Sequence, residues 1–373
     1  MSTSQAPSAA SRSASSGSSG SAGAEHEHGA AVSDADLLGR AANARAKLHE
    51  AVSARVVGQD EVIDLMLVAL LARGHALLVG VPGLAKTLLV ASLAEALDLE
   101  FGRVQFTPDL LPADITGTDV LQEDEDNQGG VHRRVRFLPG PIFHNLILAD
   151  EINRTPPKTQ AALLQAMQER RVTVGTVTHV LPDPFQVFAT RNPIEQEGTY
   201  PLPEAQLDRF LLEIHVEYPS ENEEREIARR TTSADVGTVP RVLTAAEVRA
   251  LQALVPRIPV TDAAIALAVA LGRATRPSRA GAAGGSGDGP GARSGVKEVD
   301  EYVRFGAGPR GSQALVLAAK ARAALRGEAA ADIEDVKALV VPVLRHRLVM
   351  SYRAEAEGVR DTDVLRRVLD SVS

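Results

Sequence analysis

Gly80-Val81-Pro82-Gly83-Leu84-Ala85-Lys86-Thr87 sits between a short apolar run, Ala76-Leu77-Leu78-Val79, and the helix-spaced segment Leu88-Leu89-Val90-Ala91-Ser92-Leu93-Ala94. A strand, a glycine-bearing turn and a helix in that order restrict the folds open to the chain. Such a turn aims backbone N–H groups and the positive end of a helix at a phosphate. Lys86 adds a compact cation for the terminal phosphates, and Thr87 offers a hydroxyl to Mg²⁺. The pattern G-x-x-x-x-G-K-[ST] is met except that Ala85 stands where the second glycine belongs. Ala is the smallest possible change there, and Gly83 still supplies flexibility. A plain surface turn before an amphipathic helix gives no reason for a Lys-Thr pair at this point.

The 373 residues suffice for two domains and a tail, and 44% hydrophobic content supports real cores. Aromatics are only 3%, with no Trp, so those cores must be built from Ala, Val and Leu. A formal net charge of −8 opposes broad nucleic-acid binding, though not a local basic strip. Without Cys there is no disulfide framework, thiol catalysis or zinc finger. No basic-then-apolar leader and no apolar run of about 18 residues occurs, so a membrane span is not expected. The expected location is cytoplasmic.

Residues 1–32 are Ser, Ala and Gly in the main and read as a disordered tail. Its Glu25-His26-Glu27-His28 run is either a solvated polar stretch or a metal-binding one. Order is expected from Ser33-Asp34, a helix cap before Leu37-Leu38. Residues 33–218 then alternate strand and helix: Arg103-Val104-Gln105-Phe106, Leu146-Ile147-Leu148-Ala149, Gln186-Val187-Phe188-Ala189-Thr190 and residues 211–216 read as strands. That alternation implies parallel β-α-β units, an α/β class. Residues 107–117 read as loop. Val120-Leu121 and His132 to Arg136 flank an acidic, glycine-containing turn, and a second hairpin surrounds Gly175-Thr176. The first hairpin is a solvated excursion or a protruding partner contact. Beyond Pro219 only helices are expected, at 221–231, 244–254, 261–274, 312–326 and 332–347. A smaller helical domain, 219–373, therefore follows, interrupted by a flexible insertion at about 277–295.

Four features add hydrolysis to phosphate binding. Asp150-Glu151 closes a buried strand, on the same sheet edge as the phosphate loop. Asp150 can hold Mg²⁺ and Glu151 can deprotonate the attacking water. Asn192 ends the next strand and can hydrogen-bond a γ-phosphate, or else merely start a turn before Pro193. Arg209 is a candidate finger, the alternative being a salt bridge to Asp208 or Glu213. Arg310 opens a helix after Gly306-Ala307-Gly308-Pro309 and could reach the same nucleotide's phosphates, unless it is an ordinary helix-start Arg.

Three long strings carry a family likeness: Gly80 to Thr87, Ala149-Asp150-Glu151-Ile152-Asn153-Arg154 through Glu169, and Ala189-Thr190-Arg191-Asn192-Pro193 through Phe210. With Phe106 to Gly117 they resemble MoxR-type AAA+ ATPases, over about residues 35–370. The resemblance implies an αβα sandwich around a five-stranded parallel sheet, followed by a helical lid. It also implies a homo-oligomeric ring, usually hexameric, with ATP and Mg²⁺ between subunits. In its terms Lys86 and Thr87 match the Walker A pair, Asp150 and Glu151 the Walker B pair, Asn192 sensor 1, Arg209 the arginine finger and Arg310 sensor 2. Val57, Gly58 and Gln59 match the segment beside the adenine. Ala85 is common in that family. Arg191, where Gln is usual, and Gly308, where Ser is more frequent, depart from the pattern. Arg154 is expected either at a subunit junction or in an intrasubunit pair.

The resulting expectation is an ATP-hydrolysing ring that assembles, activates or remodels partner proteins, often ones with a von Willebrand A-type domain. The alternatives are a nucleic-acid motor or loader, which would need a basic face or an added DNA-binding module, and a nucleotide-gated scaffold with little turnover.

Overall fold

The computed structural model describes residues 33–125, 131–195, 198–232, 237–278 and 295–372. The expectations for the tail, including Glu25 to His28, for the tip of the acidic hairpin and for most of the 277–295 insertion lie outside these residues. Asp34–Ser373 forms one compact unit.

Helices α1 (Asp34–Ser53) and α2 (Asp60–Leu71) lead into β1 (His75–Val79), and α3 (Lys86–Ala96) and β2 (Phe101–Gln105) follow. A five-residue helix, α4 (Pro112–Thr116), stands in what the sequence suggested was loop; Pro112 at its first turn already has a helical φ and needs no N–H partner. The hairpin β3 (Gly117–Glu125) and β4 (Val131–Pro139) comes next, then β5 (Leu146–Asp150) and α5 (Pro157–Glu169). A second hairpin, β6 (Arg171–Val174) and β7 (Val177–Val180), precedes β8 (Gln186–Arg191), the one-turn α6 (Glu204–Leu207) and β9 (Phe210–His215).

The five-stranded sheet runs β2-β5-β8-β1-β9. All four pairings are parallel. Strands β1, β5 and β8 are flanked on both sides and covered on both faces, which explains their unbroken apolar runs. The edge strand β2 alternates buried and exposed positions instead. One face packs on α1, α2 and α3 through residues such as Leu78, Phe188 and Leu212. The other packs on α5 through Leu77, Ile147, Leu163 and Val187.

After β9 the chain is helical: α7 (Glu221–Thr231), α8 (Ala245–Leu254), α9 (Asp262–Ala274), α10 (Lys297–Tyr302), α11 (Pro309–Arg326), α12 (Ile333–Ala338), α13 (Val340–Leu344), α14 (Tyr352–Glu357) and α15 (Asp361–Val372). Two departures from the sequence reading occur here. Residues 332–347 are not one helix: Pro342 supplies no N–H to the carbonyl of residue 338, and the chain breaks at Leu339. The region also contains strands, β10 (Val303–Phe305) and β11 (Val349–Met350), which pair antiparallel. Segments of two and three residues leave no periodicity to read.

His75 is wholly buried at the start of β1 with both ring nitrogens used. Its Nε2–H donates to the Met167 carbonyl at 3.2 Å, and Nδ1 accepts from the Val187 N–H at 3.0 Å. Only the neutral ring makes both bonds, and burial pushes its pKa down to about 4. The unfolded chain, with an ordinary His near 6.5, binds the extra proton first, so stability falls as pH drops from about 6.5 towards 4. The full effect of a shift this size is about 3 kcal/mol. Thermal melts from pH 7.5 to 4.5 should show this decline, to which the equally buried His346, its pKa pushed down to about 3, also contributes, and His75→Gln should make it shallower; an unchanged slope would remove the assignment.

Candidate nucleotide site

A parallel sheet places the C-terminal ends of all its strands on one edge, and the expected residues meet there. Pro82 to Leu88, Asp150, Glu151, Thr190 and Asn192 line a depression of about 410 Å³. Gly83 (φ 87°) and Ala85 (φ 55°) both take left-handed backbone, which turns successive N–H groups inward at the start of α3. Gly80 is required for space: a Cβ there would lie 2.7 Å from the Val216 carbonyl oxygen. Lys86 donates from Nζ to the carbonyls of Gly80 (2.8 Å) and Val81 (2.7 Å). Burial lowers its pKa, and the Asp150 and Glu151 carboxylates pull the other way. A lysine held only by neutral carbonyls keeps its charge uncompensated at close range, as a phosphate ligand requires.

Strand β8 lies between β1 and β5, so Asp150 reaches the phosphate loop across a neighbour. Thr190 on β8 bridges the gap. Its hydroxyl donates to Asp150 Oδ1 at 2.6 Å and accepts from the Glu151 N–H at 2.7 Å. Glu151 is held in left-handed backbone (φ 57°), an uncommon state for a residue with a side chain and one found where function over-determines geometry. Gln105 Nε2 donates to Glu151 Oε2 at 2.7 Å, and Arg154 Nη1 stands 3.2 Å from the same oxygen. Arg103 Nη2 pairs with Asp150 Oδ2 at 2.7 Å. Thr190, Gln105 and Arg103 escaped the sequence reading. For Thr190 and Gln105 the only signal is their place towards the C-terminal ends of the expected strands; Arg103 opens its expected strand and carries none.

The remaining expected residues divide between two places. Asn192 is buried at the phosphate depression, its Oδ1 accepting from the Ile194 N–H. Arg154 makes the intrasubunit pair of the two alternatives, bound to Glu195 and Glu151. Arg191 turns its charge away from the phosphates: Nη2 lies 3.6 Å from buried Glu213, whose pKa falls to about 2. Burial opposes that shift, and His215 and Arg191 overcome it. Gln59 lines a second depression of about 530 Å³, with His215, Tyr218 and Arg345. It donates to the Glu217 carbonyl at 3.2 Å. Gly58 (φ 70°) packs beneath Glu223 and, like Val57, lies outside that lining.

Arg209 and Arg310 do not reach the phosphate loop. They line another depression with Asp208 and His75, at the opposite end of β1. Arg209 immediately precedes Phe210, which pairs with His75, the first residue of β1; Gly80 follows its last. At about 3.3 Å per residue the two ends are on the order of 15 Å apart. Arg310 opens α11, as expected, beside Asp208 (Nη1 to Oδ2 3.5 Å) and not beside this chain's own phosphates. Neither Asp208 nor Glu213 pairs with Arg209.

Hard oxygen donors at Thr87 and Asp150 suit Mg²⁺. Among the described residues no three metal-binding side chains converge. Mg²⁺ ordinarily takes one or two carboxylates together with substrate phosphates, so the residues present fit it.

Comparison with known proteins agrees with this geometry. Residues 75–212 match the family model for the ATPase family associated with various cellular activities (AAA), and residues 297–368 match the AAA lid domain. The chain is 42% identical to the Mycobacterium tuberculosis protein named Chaperone MoxR1, over 85% of this chain and 79% of that one. It is 32% identical to Protein MoxR of Methylorubrum extorquens, over 88% and 95%. A solved structure from Cytophaga hutchinsonii superposes with a TM-score of 0.77 at 37% identity, covering 90% of this chain and 97% of the other. The fold, the phosphate loop with its Asp-Glu strand end, and identity sustained over nearly the whole described length place the chain in the MoxR family of AAA+ ATPases.

Proposed function

We propose that this protein hydrolyses ATP at a site shared between two copies of itself and uses the cycle to assemble, activate or remodel partner proteins. One observation carries the reading: Lys86 and the pair Arg209–Arg310 occupy opposite ends of β1. As folded, one chain does not bring both to one phosphate, whereas a head-to-tail contact between copies can, and repeating that contact gives a ring when the rotation between copies closes. A hexamer is the ring size the family resemblance implies.

Within one copy, the loop N–H groups and Lys86 bind the phosphates, with Gln59 beside the base. Thr87 and Asp150 would hold Mg²⁺, which when bound neutralises phosphate charge. Glu151 accepts the proton of the attacking water; both of its side-chain partners take Oε2. Asn192 orients the water or the terminal phosphate. Arg209 and Arg310 of the next copy stabilise the charge that develops on the transferring group. Residues 219–373 act as the lid, and its swing against residues 33–218 moves the exposed hairpins. Leu121, Val135 and Val180 on those hairpins are solvent-exposed and offer contact surface to a client, von Willebrand A-type domains being the class the resemblance suggests.

Glu151→Gln tests the chemistry. Loss of a general base costs about 10²–10⁴ in rate, so turnover should fall by at least 100-fold while ATP binding persists. Normal turnover would remove Glu151 as the base.

A further inference from the structure

The depression holding Arg209 and Arg310 contains more positive charge than those two residues supply. Arg73 and Arg170 line it as well. Two carboxylates serve the region, and both are committed. Asp183 pairs with Arg73 at 2.5 Å. Asp208 accepts from the buried Arg347 at 2.9 Å and lies 3.5 Å from Arg310. Arg170 and Arg209 have no carboxylate partner among the described residues. The guanidinium of Arg170 is half-buried, and its Nη2 donates only to the backbone carbonyl of Arg73, at 3.2 Å. Burial, and next the neighbouring Arg73 charge, hold its pKa below the ordinary arginine range.

The backbone around this excess charge is unusual too. Arg73 (φ 53°) and Arg170 (φ 51°) are both left-handed without being glycine. Arg170 is the C-terminal cap of α5, a place where glycine is the usual choice. A local role exists for it there, because a cation complements the negative end of a helix. That role accounts for a charge near the helix end. It does not account for a second cation at Arg73 and two more at Arg209 and Arg310 around the same hollow. Guanidinia without a carboxylate partner around one hollow, as Arg170 and Arg209 are, are matched by a polyanion with several oxygens, such as a triphosphate chain.

We propose that Arg170 is a third cation of the shared site, contacting the polyphosphate of the nucleotide held on the phosphate loop of a second copy. This rests on the two-copy reading above. Arg73, neutralised by Asp183, positions Arg170 through its carbonyl.

The test uses the full chain. Arg170→Gln should raise the ATP concentration for half-maximal turnover about tenfold, the loss of one charge-assisted hydrogen bond, with a smaller effect on kcat. Arg170→Lys should recover part of it. In the Glu151→Gln background, sedimentation should show the same shift in the ATP needed for self-association. Mixing Arg170→Gln with excess Lys86→Ala subunits should return a component with the parent ATP dependence, because at mixed junctions the second subunit supplies an intact Arg170 to the first subunit's phosphate loop. A parent-like ATP dependence in Arg170→Gln, with Arg209→Ala still impaired, overturns this proposal alone. A shift that no mixture rescues, or that tracks a lowered unfolding midpoint, shows a helix cap or a free-anion site and also overturns it. Parent-like turnover in Arg209→Ala removes the two-copy reading, and this proposal with it.

Discussion

Lys86→Ala protein is expected to lose ATP binding by about 100-fold or more. Hydrogen bonds to charged groups contribute about 1.5–3 kcal/mol each, and every 1.4 kcal/mol is tenfold. The ammonium now rests on two carbonyls of its own loop at 2.7 and 2.8 Å. Those bonds to neutral acceptors are exchanged for stronger ones when a phosphate arrives. The fold does not depend on the residue. Lys86 opens α3 at the rim of the depression, while that helix is anchored by the buried Leu89, Val90 and Leu93. The unfolding midpoint should therefore stay within a few degrees of the parent value, which separates loss of a ligand from loss of structure. Calorimetric titration with ATP decides it, and undiminished affinity would sink the phosphate-loop assignment.

The parts of this site that were legible in the sequence share one property: they are local. Gly80 to Thr87 encodes its own turn, and the apolar run Leu146 to Ala149 announces a strand whose last residue must sit at the sheet edge. Both can be read without knowing what packs beside them. Thr190, Gln105 and Arg103 could not be found that way. Each matters only because β8 lies between β1 and β5, and because β2 lies outside β5, and strand order is a long-range property. Arg310 shows the limit most clearly. That an Arg after a Gly-Pro turn starts a helix is legible locally. Its destination depends on how α11 docks, and that is fixed by distant contacts: Arg347 on Asp208 and His346 on the Phe210 carbonyl. Gly311 at the start of α11 packs against Leu344 and Arg347, so these contacts hold it near the N-terminal end of β9, away from the phosphate loop. Local spacing carries no record of them.

Subunit mixing should then separate the two possible placements of Arg310. Arg209→Ala and Arg310→Ala homo-oligomers are each expected to lose turnover, by about 10³–10⁵ for a finger acting between subunits. Lys86→Ala protein is inactive for a different reason, since it binds no nucleotide but still carries both arginines. In a mixture, a working site forms wherever the phosphate loop of an arginine variant faces the arginines of a Lys86→Ala subunit. With random head-to-tail contacts at equal amounts, about one junction in four meets that condition, so about a quarter of parent turnover should return. The recovery should peak near equal amounts and vanish at either extreme. Were Arg310 to serve its own subunit's nucleotide, Arg310→Ala would gain nothing from the mixture while Arg209→Ala recovered. Rescue of both assigns both to the neighbouring copy, as their shared depression around Asp208 indicates. Rescue of neither, at any ratio, would mean that hydrolysis is completed within one chain. The distance along β1 would then have to be closed by a movement of α11 away from Asp208.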